Sequence, residues 1–206
     1  MLTLLHTSPV HVATFDALRD RIAPGTPLAH IVREDLLSRA RTEGVTPEIA
    51  GETAALIRQA RGPVLCTCTT LGAVAEAAGA LRIDRPVMRQ AAGSGGPVLM
   101  AYCLESTAKP SLALLREEIG RAGSDAKITP LSIASAWPLF EAGDHDAFAR
   151  AIATAIRAAW SPDHTACVLA QASMAAAAAH LADLPVLASP EIALRTALSA
   201  GPSGRA

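Results

Sequence analysis

Cys68 is followed by Thr69 and Thr70, at the end of the apolar run Val64-Leu65-Cys66 and ahead of an alanine-rich stretch that starts near Leu71-Gly72. A thiol placed just before a helix lies in a positive potential, which favours the thiolate and makes it a base or a nucleophile. Small polar groups recur where other apolar runs end: Thr7 and Ser8 after His6, Ser106 and Thr107 after Cys103-Leu104-Glu105, and Gln171 and Ser173 after Val168-Leu169-Ala170. Hydroxyls combined with backbone amides at such ends can hold a carboxylate without an arginine. Each set taken singly reads equally well as a helix N-cap, but recurrence in both halves of the chain favours a binding role. Cys66, Cys103 and Cys167 lie in or beside apolar runs and read as buried, inert thiols.

These groups need strands to carry them and helices to follow. Apolar runs predict β-strands near 1–6, 27–32, 63–67, 85–89, 97–103, 127–132, 165–170 and 185–188, with helices in most gaps. Thr46-Pro47-Glu48 and Ser189-Pro190-Glu191 are helix starts, and Gly143-Asp144 ends one helix and caps the next. The segments around Cys68 and Gln171 share one grammar, each leading through an alanine-rich helix to an Asp-x-Pro-Val phrase, at Asp84-Arg85-Pro86-Val87 and Asp183-Leu184-Pro185-Val186, that reads as the next strand. The expected fold is α/β, with two pseudosymmetric lobes, each a parallel sheet flanked by helices, and a ligand cleft between the lobes. The glycine-rich segment 90–97 reads as the crossover, giving a first lobe of 1–92 plus 185–206 and a second of 93–184. Pro86 is expected to keep Arg82, Arg85 and Arg89 from sharing a helix. The tail 201–206 is expected to fray.

The 206 residues carry a formal net charge of -1, spread along the chain, and half of them are apolar. That balance gives no electrostatic footprint for nucleic acid or an anionic membrane. Few aromatics are available for base stacking, and no uncharged run approaches the roughly 20 residues that span a bilayer. Met1 to Leu5 lacks a basic leader and reads as a first strand, which favours a cytoplasmic protein. The four cysteines show no Cys-x-x-Cys spacing, which argues against zinc and against a disulfide framework. The six histidines are not spaced as a metal site, and Asp144-His145-Asp146 reads as a solvated helix cap. His6, beside Thr7 and Ser8, reads as a core or rim histidine.

Leu5-His6-Thr7-Ser8-Pro9, Cys68-Thr69-Thr70, Leu104-Glu105-Ser106-Thr107 and Leu169-Ala170-Gln171-Ala172-Ser173-Met174, in this order and spacing, resemble the aspartate/glutamate/hydantoin racemase superfamily. The resemblance extends over nearly the whole chain. It implies a cofactor-independent racemase or isomerase acting next to the carboxylate of an amino acid or small dicarboxylic acid, with Cys68 as the acid/base or nucleophile. Thr7, Ser8, Thr69, Thr70, Thr107 and Ser173 would hold the carboxylate or a developing oxyanion, and Gln171 would orient substrate. No metal and no cofactor are expected. Gln171 stands where a two-base racemase of this group would have its second cysteine, and an amide exchanges no proton near neutral pH. Decarboxylation of malonate-type acids and a binding protein of the same fold without catalysis are the alternatives. The resemblance leaves a homo-oligomer open.

Overall fold

The computed structural model describes residues 1–199; the tail 201–206 lies outside the described residues. The chain forms two compact units, one built from Met1–Ile83 with the segment from Pro190 onward, the other from Asp84–Ser189. The chain thus passes from the first unit to the second ahead of the glycine-rich segment 90–97, and returns five residues after the expected crossing at 184/185.

The first unit holds β1 (Leu2–His6), β2 (Leu28–Val32), β3 (Val64–Cys66) and β4 (Leu81–Arg82), all parallel, in the order β2-β1-β3-β4. Its helices are α1 (Val10–Ile22), α2 (Glu34–Glu43), α3 (Pro47–Gln59) and α4 (Gly72–Ala77). The interior strands β1 and β3 are buried at every position, as expected for parallel strands covered on both faces. Leu5, Cys66 and Cys68 pack with Leu36 and Ala40 of α2, Ile49 and Ile57 of α3, and Ala75 of α4. Each fully buried leucine or isoleucine in such a cluster contributes about 1.5–3 kcal/mol relative to exposure. On α1, His11 and Phe15 approach His6. Thr46 caps α3 by accepting from Ile49 N, with Pro47 in the first helical position.

The second unit holds β5 (Val98–Tyr102), β6 (Ile128–Ser132), β7 (Ala166–Leu169) and β8 (Val186–Ala188), again all parallel, in the order β6-β5-β7-β8. The two sheets therefore repeat one strand order, and the two-sheet α/β architecture matches the expectation. Around the second sheet lie α5 (Arg85–Ala92), α6 (Glu105–Arg121), α7 (Trp137–Glu141) and α8 (His145–Ala159). Asp144 caps α8 by accepting from Ala147 N at 3.0 Å, directly after Gly143 in a left-handed conformation (φ 77°). The last helix, α9 (Ser189–Ser199), closes the first unit, where Arg21 meets Glu191 at 2.6 Å.

Three local expectations are corrected. The segment 85–89 is the first part of helix α5, and the strand that precedes it is only Leu81–Arg82. Pro86 does not divide the arginines Arg85 and Arg89. It sits in the first turn of α5, where a missing N–H costs nothing, and both arginines reach Glu118 of α6. The alanine-rich run after β7 is a 3-10 helix, Ala172–Leu181, although alanine favours the α-helix. Packing overrides that preference: Ala172, Met174, Ala177 and Leu181 are all buried.

Candidate active site

In an open parallel sheet ligands gather beyond the carboxyl ends of the strands, at the point where chain connections diverge. Here β1 leads outward to β2 on one side while β3 leads to β4 on the other, so the divergence lies between the ends of β1 and β3. His6-Thr7-Ser8 leaves β1 at that point, and Thr67-Cys68-Thr69-Thr70 leaves β3. Thr67 N donates to Leu5 O at 2.9 Å, which carries the β1–β3 ladder one residue past the strand.

Cys68 is 6 % exposed and belongs to the buried cluster beneath the sheet. The Cys66 thiol points back to Cys68 O at 3.7 Å. Thr7, Thr69 and Thr70 are buried, and Ser8 is half-buried. Gly72 N donates to Thr69 O at 3.0 Å, so the chain turns tightly between Cys68 and the helix that follows. The expected dipole at Cys68 has little helix behind it: α4 is six residues long and begins four residues after the thiol. A cation stands closer to this turn, since a Cβ on Gly72 would sit 3.0 Å from both Nε and Nη2 of the buried Arg82. Cys66 and Arg82 are register partners on β3 and β4.

The second unit places its set by the same topology, at the ends of β5 and β7. Ala170 N donates to Ala101 O at 2.9 Å, the counterpart of the Thr67–Leu5 bond. Leu5 pairs with Cys66 and Ala101 pairs with Leu169, so Cys68 and Gln171 hold equivalent positions in their own sheets. The Gln171 side chain is buried, and its Oε1 accepts from Cys103 N at 2.6 Å and Leu104 N at 3.0 Å. Its amide oxygen is thus committed to the turn after β5. Thr107 lies inside the first turn of α6 and is buried; Ser173 is half-buried at the start of the 3-10 run. Burial pushes the thiols of Cys103 and Cys167 up to about 12, which makes both inert near neutral pH. Among the described residues no group of three His, Cys, Asp or Glu is placed to hold a metal ion, and no helix is long and apolar enough to cross a membrane.

Two partners of His6, Thr67 and His30, escaped the sequence reading. His6, fully buried, has Nδ1 2.8 Å from Thr67 Oγ1 and Nε2 2.9 Å from His30 Nδ1. Burial first, and then the neighbouring His11 and His30, hold its pKa down to about 3. Thr67 and His30 become visible as partners only once strand register is fixed, because they lie 61 and 24 residues from His6.

Comparison of the backbone with known structures bears on the fold. Glutamate racemase from Francisella tularensis, solved in complex with D-glutamate, superposes with a TM-score of 0.71 over 97% of this chain and 80% of its own, at 11% identity. Aspartate racemase from Picrophilus torridus gives 0.69 over 97% and 93%, at 12% identity. The two-sheet α/β fold of this chain is the one these racemases have. A mutant arylmalonate decarboxylase in a sulfate-associated form superposes with a TM-score of 0.54 over 98% of this chain and 94% of its own, at 17% identity. No protein-family model matches the chain, and no curated protein sequence matches it.

Proposed function

We propose that the protein is a cofactor-independent, cytoplasmic enzyme that acts on the carbon next to a carboxylate through Cys68 alone. The observation that carries this reading is the register equivalence of Cys68 and Gln171: one unit offers a thiol where the other offers an amide. In this mechanism the Cys68 thiolate takes the α-proton, the C–H electron pair passes into the carboxylate as an enediolate, and Cys68 returns the proton. Thr7, Ser8, Thr69 and Thr70 hold the carboxylate and stabilise the enediolate with hydroxyls and backbone amides, as an oxyanion hole does. Thr107, Gln171 and Ser173 are the corresponding polar set of the second unit, where Gln171 still has its amide N–H groups to donate. An amino acid or a small dicarboxylic acid fits this chemistry. With a malonate-type acid, loss of CO₂ generates the same enediolate, and Cys68 acts only as the proton donor.

Full inversion needs a proton acceptor on one face and a donor on the other, each with a usable pKa. A single thiol instead favours solvent exchange with retention, or protonation of one face after decarboxylation. The test is proton NMR in D₂O with small dicarboxylates, amino acids and arylmalonates. The expected result is deuterium exchange, isomerisation or CO₂ loss that falls about 10²–10⁴-fold in Cys68→Ala. Equal turnover by wild type and variant would remove Cys68 from the reaction, and silence from both would leave a small-acid-binding protein of the same fold.

A further inference from the structure

Thr67 Oγ1 has one proton and two acceptors within reach, Leu5 O at 3.1 Å and His6 Nδ1 at 2.8 Å. His6 Nε2 and His30 Nδ1 are 2.9 Å apart, so only one of those two nitrogens can carry a proton. At the outer end, His30 Nε2 is enclosed 3.4 Å from Asp16 Oδ1. The chain therefore has two self-consistent directions. With His30 neutral, its Nε2–H faces Asp16, its Nδ1 accepts from His6 Nε2–H, and His6 Nδ1 accepts the Thr67 hydroxyl. When His30 takes one proton from solvent, both of its nitrogens are donors. His6 Nε2 must then accept, His6 carries its single proton on Nδ1, and the Thr67 hydroxyl turns to Leu5 O. One proton is taken up overall, and His6 holds one ring proton in both states.

We propose that Asp16, His30, His6 and Thr67 form a tautomer relay that ties the protonation of His30 to the hydroxyl of Thr67, the residue that precedes Cys68 in its turn, making His6 a positioning residue for that turn. The inference deepens the proposed function and rests on Cys68 being its reactive group. Thr67 immediately precedes Cys68, and its peptide N–H already fixes this turn to β1. The other charged or titratable groups around the relay are His11 on α1, 6.2 Å from His6 between ring centroids, and Arg19, which holds Asp16 Oδ1 at 3.2 Å. On the β2 side Arg33 is engaged by Asp35 and Glu52. His6 itself is kept neutral by its burial, so it can pass the change along without taking a charge.

The test follows ring-nitrogen NMR of His6 and His30 as the pH is lowered from neutral. Alongside it runs the rate at which methyl methanethiosulfonate modifies Cys68 in wild type, Thr67→Val, Thr67→Ser and His6→Phe. The expected result is a neutral His6 whose proton moves from Nε2 to Nδ1 as pH falls, with a matching step in the Cys68 rate. Thr67→Val and His6→Phe should lose that step and shift the rate by about tenfold, the effect of one buried hydrogen bond, while Thr67→Ser keeps it. A single His6 tautomer throughout, a cationic His6, or a Thr67→Ser profile like that of Thr67→Val would overturn the relay. These readouts follow the thiol and the ring, not turnover. A relay that behaves as expected beside a silent substrate panel would therefore reject the proposed reaction alone.

Discussion

Cys68 and Gln171 occupy the same register position at the exits of β3 and β7, and the Gln171 side chain ties its own unit together by accepting from Cys103 N and Leu104 N. Gln171→Leu removes the acceptor of Cys103 N and Leu104 N, and a buried donor left without a partner costs about 1–3 kcal/mol. Urea unfolding should therefore show a clearly lower midpoint for Gln171→Leu, whereas Gln171→Glu, which retains carboxyl oxygens as acceptors, should lose less. Equal midpoints for wild type and Gln171→Leu would mean that the two amides find another partner.

Gly72 lies against the guanidinium of Arg82 at the end of the Cys68 turn. Gly72→Ala forces a Cβ to 3.0 Å from Nε and Nη2 of a cation that is itself buried. Overpacking of this kind costs about 1–3 kcal/mol. Thermal unfolding should register the loss, and thiol modification of Cys68 should change with it. An unaltered melting temperature would mean that Arg82 moves aside freely.

The depressed pKa of His6 gives stability a specific pH dependence. In the unfolded chain a histidine protonates near about 6.5, whereas folded His6 stays neutral down to about 3. Between these values the unfolded state binds more protons, so stability is highest above the upper value and falls as pH is lowered toward the lower one. Unfolding free energies at pH 7, 5 and 4 should decline more steeply for wild type than for His6→Phe, whose residue 6 has no proton to bind. Parallel profiles would show that another group dominates this window.

Glu118 is 2 % exposed and is met by Arg85, Arg89 and Arg121. Burial alone would raise its pKa, but hydrogen bonds from Arg85 and Arg89 outweigh burial and hold it below the ordinary value. Its contribution is present above the ordinary carboxylate range and is lost as pH falls through the lowered folded value. Glu118→Gln should lower stability at pH 7 by about 1–3 kcal/mol, since charge-assisted bonds to Arg85 are lost. The gap should close in acid. A gap that persists unchanged at low pH would contradict the account.

The strand pattern was largely legible: seven of the eight strands among the described residues fall where the sequence reading placed them. The eighth, Leu81–Arg82, has two residues and therefore no period to detect. The two Asp-x-Pro-Val phrases show the limit of local reading. Asp84-Arg85-Pro86-Val87 runs into Met88-Arg89-Gln90-Ala91-Ala92, good helix formers, and becomes α5, while Asp183-Leu184-Pro185-Val186 runs into Leu187-Ala188 and becomes β8. Cys68, Thr69 and Thr70 stood out because a thiol and two hydroxyls follow an apolar run directly. His30 and Thr67 did not, since their link through His6 depends on parallel strands aligned to within one residue. The bonds from Cys103 N and Leu104 N to Gln171 were hidden for the same reason.

The first unit is discontinuous in the chain, and α9 brings Ala193, Leu194 and Ala197 into its core only after the whole second unit has been made. During synthesis from the N-terminus, the second unit can collapse as one uninterrupted segment as soon as Ser189 has emerged, whereas the unit that carries Cys68 must wait for the final helix. A nascent chain stalled before Pro190 therefore lacks the part of the first unit's core that Ala193, Leu194 and Ala197 supply, and shortening α9 should loosen the first unit while leaving the second folded.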